Sequence, residues 1–467
     1  MSSNTTNVSR QLAEMTATTH YNDIPEAVII DAQRSVLDWL GSALAGALEP
    51  PARMVQRMVT TLGASAEATV FDGGRSSAAG AALVNGTATH ILEYDDVHKG
   101  ATLHAAAPVI PAALSVAERE GASGQDFLRA VVLGYEASLR IGEAVNPSHY
   151  RYWHPTGTSA TFGAAVAAGT LLKLNPAQML DALGSAGTQA SGLWEFNADG
   201  AMSKHLHPGK AAFNGIVSAD LAKLGFTGAT RILEGERGFF RATTTSYDES
   251  RVTDGLGSVW KISENCYKLH SCCGHTHTAI DVTQDLRGEL VEDIPIADQI
   301  AQIHIATYGP GYEIVKEMAP QTPYQAKFSI AYCVAIALLE GVVGLEQFDT
   351  QRFGTDGSSG VQDANVNALL AKTTVVVDEA LSAMYPAAWP VRLTITLADG
   401  RILYGSADYP RGNPENPVET VVLADKFRSL IVPRFGAELA ESGIALVERL
   451  PECEAVRPVL ESFGRLT

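Results

Sequence analysis

The feature that most constrains the fold is a helical hydrophobic period that recurs from Pro25 to Ala190. Apolar residues repeat at helical spacing in segments that Gly and Pro separate: Pro25–Ala47, a helix from Ala52, Ala78–Leu92, Pro108–Arg119, Gln125–Val145, Thr158–Leu172 and Pro176–Ala190. Ala and Gly are plentiful inside these segments, which allows helix axes to approach closely. The pattern predicts a helical bundle with crowded contacts.

The hydrophobic period changes near Gln299. Alternating or β-branched runs predict strands at Gln299–Ala306, Thr373–Val377, Val391–Leu397 and Arg401–Ala407. The last two are joined through Asp399-Gly400, which suits a hairpin turn. Helices are predicted over Tyr324–Glu340 and Val361–Lys372. This part of the chain therefore has an α+β pattern.

The predicted fold class is mostly α with an α+β part. A large all-helical domain spans residues 1–262, and a smaller inserted α+β lid domain spans residues 263–412. After the Pro410–Pro417 linker the helical period returns, so residues 413–467 are expected to form a helical C-terminal segment that returns to the helical domain. The length of 467 residues is sufficient for more than one domain.

Composition excludes several classes of partner. The chain carries 52 acidic and 34 basic residues and a formal net charge of −18. Nucleic acids and anionic membranes require a broad basic face, so neither is expected to bind. Met1–Ser9 lacks the apolar core of a signal peptide, and Pro155–Leu172 is too weakly apolar for a membrane span. Five cysteines without a disulfide pattern indicate reduced thiols and a cytoplasmic protein.

One cationic run stands out in this acidic chain. Lys204 to Gly215 reads Lys-His-Leu-His-Pro-Gly-Lys-Ala-Ala-Phe-Asn-Gly. The Pro208-Gly209 pair before Lys-Ala-Ala-Phe predicts a turn that enters a helix, where backbone N–H groups and cationic side chains converge. This arrangement predicts an anion site that includes Lys204 and Lys210.

Three further polar clusters are predicted at junctions between a loop and a helix. They are Glu93–His104, Tyr150–Gly157, and Tyr267–His277 before a helix that begins near Ala279. Helix starts offer unsatisfied N–H groups to an anion. The clusters therefore extend the predicted anion site with histidines, acids and lysines.

The order of these motifs resembles the MmgE/PrpD family. Asp95-Asp96 with a later His, Trp-His-Pro-Thr-Gly, Lys-His-Leu-His-Pro-Gly-Lys-Ala-Ala, Tyr-Lys-x-x-x-Cys-Cys-Gly-His-Thr-His and Ala-Lys-Phe-Ser follow one another along nearly the whole chain. The resemblance implies a helical domain, an α+β lid, an active site in the cleft between them and a homodimer. It also implies a small di- or tricarboxylate substrate and no metal or organic cofactor.

The resemblance implies roles for individual residues. His104 and His154 match catalytic-pocket histidines, Lys204 matches a substrate-binding lysine, and Asp96 matches the second acid of the family's pair. We predict these four as catalytic residues. The predicted substrate-binding residues are Glu93, Lys268, His275, Tyr152 and Lys210. The family's lid tyrosine could correspond to Tyr308 or Tyr312.

The same residues also have structural interpretations. His104 could be a core histidine, Lys204 a solvated surface lysine, and Asp95 or Asp96 a helix cap. His205 and His207 are two positions apart, so at most one is expected to face the pocket. The run from Cys272 to His277 contains zinc-binding residue types, but adjacent cysteines diverge, which disfavours a metal site. No Gly-rich phosphate-binding loop is present in the sequence.

The reactions of this family create or discharge a carbanion next to a carboxylate. Such chemistry requires cations that hold the carboxylates and an acid and a base beside one carbon. We predict a cofactor-free dehydratase that acts on a 2-methylcitrate- or citrate-like acid. The alternatives are a decarboxylase of a cis-aconitate-like acid, an epimerase of an iminodisuccinate-like acid and a non-catalytic carboxylate-binding protein. Glu93 and Val97 replace an Asp and a Thr of cis-aconitate decarboxylase, which disfavours that activity.

Overall fold

The computed structural model describes residues 7–63, 65–457 and 463, with Asp199 described by its backbone alone. Contacts divide the chain into two compact units. Unit 1 comprises Met1–Ile91, Asp95–Asn265 and Glu419–Thr467, and unit 2 comprises Leu92–Tyr94 and Cys266–Val418. The far end of the predicted C-terminal segment, residues 458–462 and 464–467, lies outside the described residues, as do residues 1–6.

Unit 1 is built from helices. Their bounds are Val8–Thr18, Glu26–Gly46, Pro50–Thr61, Ala78–Ile91, Ala106–Glu120, Gly124–Val145, Ser159–Leu171, Pro176–Gly187, Phe196–Asp199, Ser203–Lys223, Phe239–Thr243, Ser250–Thr253, Thr420–Phe435 and Ala437–Glu448. The helices predicted from the period are confirmed to within a few residues at each end. A short antiparallel pair of strands, Ala68–Val70 and Gly74–Ser76, was not expected from the sequence.

The small residues of unit 1 allow the close helix contacts that the sequence indicates. Every residue of Ser159–Leu171 is buried. Gly163 lies against Ser138 of the helix Gly124–Val145, where an added Cβ would come within 1.8 Å of the Ser138 hydroxyl oxygen. The helix contacts in the bundle therefore depend on glycines, which have no side chain, as much as on apolar residues.

Unit 2 places helices on a mixed sheet. The helices are His277–Arg287, Ile296–Gln299, Gly309–Val315, Pro323–Lys327, Ile330–Glu340, Ala364–Ala371 and Glu379–Ser382. Four strands lie in the order Thr373–Val377, Ile300–Thr307, Val391–Leu397 and Ile402–Ala407. The first pair is parallel and the other two are antiparallel, with Ile305 opposite both Val375 and Leu393. The structure thus confirms a mostly α chain with an α+β part.

Two predicted helices of unit 2 have different bounds in the structure. The predicted helix Tyr324–Glu340 is interrupted, because the Ser329 hydroxyl accepts a hydrogen bond from the Tyr332 N–H and caps a new helix at Ile330. The helix predicted from Val361 begins at Ala364, where the Asp363 carboxylate accepts from the Asn365 N–H at 2.7 Å. In both cases a polar cap takes precedence over the hydrophobic period.

The predicted turn at Pro208-Gly209 is wrong. The helix Ser203–Lys223 begins before this pair and contains Pro208 in its interior. Gly209 packs against the helix Ala78–Ile91, where a Cβ on Gly209 would lie 2.3 Å from the Leu83 carbonyl oxygen. The glycine therefore serves a helix contact, and Lys204 lies in the first turn of the helix.

Replacement of Gly209 by Ala is expected to destabilise the protein by about 1 to 3 kcal/mol, because its Cβ overlaps the backbone of the neighbouring helix. Urea unfolding followed by circular dichroism measures the change. Gly288→Ala is the control, since a Cβ at Gly288 meets its nearest atom at 3.7 Å. Equal stability of the Gly209→Ala protein and the control would contradict the close contact.

None of the described helices combines the length and the apolar character needed to cross a bilayer.

All five cysteines are free thiols, and four of them are buried.

Candidate active site

A strained segment follows the helix Ala78–Ile91. Glu93 and Thr102 have positive φ angles of 57° and 47°. This conformation is uncommon for residues with a side chain, and for a β-branched residue such as Thr102 it is a marked outlier. The segment ends at the helix Ala106–Glu120 and carries Asp95, Asp96 and His104. Backbone strain of this kind is concentrated at functional sites, so these residues are candidates for the active site.

Four histidines of unit 1 meet around this segment, and we call them the imidazole cluster: His90, His104, His154 and His207. The ring of His90 lies 4.7 Å from that of His104 and 5.5 Å from that of His154, measured between centroids. The Nδ1 atoms of His154 and His207 are 3.0 Å apart. Two predicted catalytic histidines, His104 and His154, are therefore in one cluster, with their ring centroids 6.5 Å apart.

Asp95 connects two of these histidines. One of its oxygens lies 2.8 Å from His90 Nδ1 and 3.5 Å from His104 Nδ1. His104 Nδ1 is also hydrogen bonded to the Asp96 carbonyl oxygen. Both acceptors are oxygens without a proton to donate when Asp95 is ionised, so Nδ1 is the protonated nitrogen of each ring. Nε2 is then the nitrogen at which each ring can gain or release a second proton.

His154 is held in place from several sides. Its backbone N–H donates to the Gly192 carbonyl oxygen at 2.9 Å, and Trp153 forms a β-bridge with Leu193. The Trp194 and Phe196 rings lie 5.0 and 5.9 Å from the His154 ring. The chain reversal after the helix Pro176–Gly187 thus supplies an aromatic wall for the imidazole.

The electrostatics of the cluster keep two rings neutral. Burial, and then the neighbouring His90, His207, Lys204 and His104, hold the pKa of His154 well below its usual value. Burial, followed by His90, Lys204 and Lys210, lowers the pKa of His207 to about 4. Both rings are therefore unprotonated at neutral pH and can accept a proton.

Lys204 is buried, with 3% of its surface exposed, and its charge acts on both His154 and His207. A solvated surface lysine would not be enclosed in this way. Lys210, two turns further along the helix, is half-buried and donates to the Ser191 hydroxyl. Of His205 and His207, His207 joins the cluster, in agreement with the expectation that at most one would do so.

Asp96 is held by three donors. Its oxygens accept from the Ala106 N–H at 3.2 Å, the Tyr135 hydroxyl at 2.7 Å and the Asn265 side-chain amide at 2.8 Å. Burial, opposed by the Tyr135 hydrogen bond, raises the pKa of Asp96 to about 7. These contacts support its interpretation as a cap for the helix Ala106–Glu120.

The raised pKa of Asp96 predicts a pH dependence of stability. The folded protein retains the Asp96 proton up to about pH 7, whereas the unfolded chain loses it near the ordinary value of 3.8. The folded state binds more protons between these values, so the contribution of Asp96 to the free energy of unfolding falls as the pH rises from about 4 to about 7.

Urea unfolding at several pH values is expected to show that Asp96→Asn removes this part of the slope. The exposed Asp248 has a lowered pKa, with the Ser250 hydroxyl hydrogen bond as the largest cause, and Asp248→Asn serves as the control. An unchanged slope in Asp96→Asn would contradict the raised pKa.

Tyr152 does not join the imidazole cluster. Its side chain is 59% exposed, and the Arg151 guanidinium lies 5.2 Å from its ring centroid. A short helical turn over His149–Arg151 precedes it and directs His149 inward instead. The structure therefore gives no support to Tyr152 as a substrate-binding residue.

A second cluster lies in unit 2 and contains Glu93, Lys268, His275 and Tyr308. The buried Lys268 ammonium lies 3.6 Å from the Glu93 carboxylate and donates to the Glu93 carbonyl oxygen at 3.2 Å. His275 Nδ1 is hydrogen bonded to the Tyr308 hydroxyl. Burial, followed by Lys268, lowers the pKa of His275 to about 3. Of the two tyrosines considered from the sequence, Tyr308 is the one that contacts His275.

Two groups of described residues bring together at least three side chains of metal-ligating type. One is His90, Asp95 and His104, and the other is His98, Glu143 and Glu264. In the second group the Lys261 ammonium already donates to both carboxylates. The Cys272 to His277 run is not among these groups: Cys272 Sγ contacts the Thr276 hydroxyl and His277 Nε2 contacts the Cys272 carbonyl oxygen.

Sequence reasoning did not select His90 or the aromatic wall. His90 lies in the last turn of an apolar helix, where its position looks like an ordinary core site. The available signal was its place five residues before Asp95, at the start of the junction motif. Trp194 and Phe196 carry no motif, so only the folded chain reveals their contact with His154.

Comparison with known proteins agrees with the motifs. The profile of the MmgE/PrpD N-terminal domain matches residues 10–251, and that of the MmgE/PrpD C-terminal domain matches residues 270–452. Cis-aconitate decarboxylase of Aspergillus terreus is 29% identical over 449 residues, covering 92% of this chain and 89% of the relative. The human cis-aconitate decarboxylase is 26% identical over 448 residues, with coverage of 92% and 89%.

A second activity occurs among the relatives. The 2-methylcitrate dehydratase of Cupriavidus necator is 30% identical over 168 residues, which cover 34% of this chain and 33% of the relative. The matched profiles together extend over most of the sequence, from residue 10 to residue 452. The chain therefore belongs to the MmgE/PrpD family.

Proposed function

We propose that this protein is a lyase that removes a proton next to a carboxylate of a small di- or tricarboxylate, with dehydration of a 2-methylcitrate- or citrate-like acid as the favoured reaction. The observation that carries the proposal is the buried Lys204 ammonium beside imidazoles whose pKa values are lowered. A buried cation next to neutral bases suits a substrate that brings its own negative charge.

Dehydration requires two proton transfers. A base takes the proton from the carbon beside the carboxylate, the C–O bond of the neighbouring carbon breaks, and an acid protonates the departing hydroxide to give water. The carbanion that develops is stabilised by cations that hold its carboxylate. An alkene and one water molecule are the products, so atoms and charges balance.

The cluster supports specific roles. His154, unprotonated at neutral pH, is the proposed base. His104, whose Nδ1 faces the Asp95 carboxylate at 3.5 Å, is the proposed acid, because that carboxylate stabilises its imidazolium form. Lys204 is the proposed ligand of the substrate carboxylate, and Lys210, further along the same helix, is a second proposed ligand. Lys268 and His275 remain proposed carboxylate ligands, and Glu93 the group that neutralises Lys268.

Decarboxylation of a cis-aconitate-like acid is the second candidate. It is favoured by the relatives that match over about nine-tenths of their length, which are named cis-aconitate decarboxylases. In that reaction the C–C bond to one carboxylate breaks and carbon dioxide leaves. The electron pair of that bond stays on carbon as a carbanion, which the acid then protonates. The same lysine and histidine groups would serve both reactions.

Incubation with citrate, methylcitrate, aconitate and succinate derivatives in D2O, followed by NMR, tests the proposal. A dehydratase is expected to give the alkene and to incorporate solvent deuterium in the reverse direction, whereas a decarboxylase gives carbon dioxide and a deuterated product. Ligand-induced thermal stabilisation without turnover on any of these acids would instead favour a carboxylate-binding protein. Light scattering on the same sample tests the proposed homodimer.

A further inference from the structure

We infer that His90 is a positioning residue of the proposed reaction centre: it holds Asp95 so that one carboxylate oxygen faces both its own ring and that of His104. The inference rests on the proposed function, since the proton carried by His104 is the one that the reaction uses. His90 acts through Asp95 and His104 and need not touch the substrate.

The first support is the hydrogen-bond geometry. His90 and Asp95 are both completely buried, and the Asp95 oxygen that accepts from His90 Nδ1 at 2.8 Å is the one that lies 3.5 Å from His104 Nδ1. Of the two rings near this oxygen, only His90 is hydrogen bonded to it, because His104 Nδ1 is hydrogen bonded to the Asp96 carbonyl oxygen. His90 therefore determines where the negative charge beside His104 lies.

The second support is the packing of the rings. The His90 ring is nearly parallel to that of His154, with an interplanar angle of 25°, and meets His104 edge-on at 62°. It contacts both proposed catalytic imidazoles, whose own centroids are 6.5 Å apart. His90 thus also sets the spacing between the proposed acid and the proposed base.

The third support is an unused nitrogen. His90 Nε2 is buried and has no hydrogen-bond partner among residues 7–63, 65–457 and 463. Buried polar atoms are nearly always paired, so an unpaired Nε2 makes a histidine at this position costly for the core. Anchoring Asp95 through Nδ1 supplies a reason for that cost.

The groups that face these rings come from four parts of unit 1. Asp95 and Asp96 with His104 belong to the junction segment, His90 to the helix Ala78–Ile91, His154 to the loop before the helix Ser159–Leu171, and Lys204 with His207 to the helix Ser203–Lys223. Any variant of His90 changes the field on all of them. The comparison of variants must therefore separate the donor at Nδ1 from the ring.

Two variants of the full-length protein make that separation. His90→Asn retains an N–H donor close to the position of Nδ1 but loses the ring, and His90→Phe retains a ring but loses the donor. If the donor matters, His90→Phe is expected to lower kcat by about 10²-fold or more with KM within about threefold, as for loss of an oriented catalytic group. His90→Asn is expected to recover at least about tenfold of that loss.

Proton NMR of the substrate-free protein provides a readout independent of turnover. Buried imidazole N–H groups that donate a hydrogen bond to an oxygen give low-field proton resonances. His90→Phe is expected to remove the resonance of His90 and to shift that of His104. Asp95→Asn is expected to shift both and serves if His90→Phe does not fold. An unshifted His104 resonance in His90→Phe, or equal kcat in the two His90 variants, would overturn the inference. A shifted His104 resonance in His90→Phe, together with a wild-type protein that turns over none of the tested acids, would overturn only the proposed function.

Discussion

Replacement of Lys204 by Met is expected to lower kcat/KM for the true substrate by about 10²- to 10³-fold or more, the size of effect seen when one preorganised charge-stabilising group is removed. Methionine preserves the length of the side chain and removes its charge. Since Lys204 is 3% exposed, water cannot easily replace the ammonium. The loss should appear in kcat as well as KM, because the substrate carboxylate gains charge as the proton leaves.

The same variant has an electrostatic signature that does not depend on substrate. Lys204 is one of the causes that lower the pKa values of His154 and His207. Both values are therefore expected to rise in Lys204→Met, which histidine-resolved NMR titration would detect. Such a rise together with a native circular dichroism spectrum would separate the loss of charge from a loss of fold.

Lys223→Met is the matched control. Lys223 lies in the last turn of the same helix, and its ammonium donates to the Leu172 carbonyl oxygen at 3.0 Å. It is not among the groups that lower the pKa of either histidine. Normal kcat/KM in Lys204→Met, or an equal loss in both variants, would remove Lys204 from the proposed site.

The sequence predicted the strands of unit 2 because their signals are local. The strands Thr373–Val377 and Val391–Leu397 have the same bounds in the structure as in the prediction from the sequence pattern. Asp399-Gly400 supplies the turn that follows the second strand. The junction motifs likewise led to His104, His154 and Lys204, which the structure brings into one neighbourhood. Local patterns and the order of motifs were sufficient for this much.

The remaining features depend on three-dimensional contacts that the local sequence pattern does not predict. Pro208-Gly209 has the local chemistry of a turn, but the tight contact of Gly209 with Leu83 and Thr87 stabilises a helix through that position. His90 has the local pattern of a core residue, and only the chain reversal that brings Asp95 beside it reveals a hydrogen-bonded pair. The partners of Gly209 lie far from it in the sequence, whereas the His90–Asp95 pair, only five residues apart, depends on the backbone conformation between the two residues.

Replacement of Lys426 by Met is expected to lower the free energy of unfolding by about 3 to 5 kcal/mol, the usual cost of leaving one partner of a buried ion pair without its counterion. Lys426 Nζ lies 2.6 Å from an Asp38 oxygen, and the two side chains are 3% and 0% exposed. The pair joins the helix Thr420–Phe435 to the helix Glu26–Gly46, so its loss acts on the attachment of the C-terminal helices. Urea unfolding measures the change.

Arg428→Met is the control on the same helix. Its guanidinium lies 2.7 Å from a Glu441 oxygen, but the two side chains are 37% and 58% exposed, so water screens the pair. A much smaller loss of stability is expected there. Equal effects of the two substitutions would show that burial of the Asp38 pair has no special cost.

The double variant Asp38→Leu with Lys426→Met distinguishes the value of the ion pair from the cost of breaking it. Both charges are then absent, and apolar side chains of similar size occupy positions close to Gly41, Phe427 and Leu430, which already pack together. Because desolvation of two charges offsets much of their attraction, this protein is expected to recover most or all of the stability lost in Lys426→Met. A double variant as unstable as the single one would mean that the pair itself contributes the stability of this helix contact, and that the loss in Lys426→Met does not come from the Asp38 charge left without Lys426.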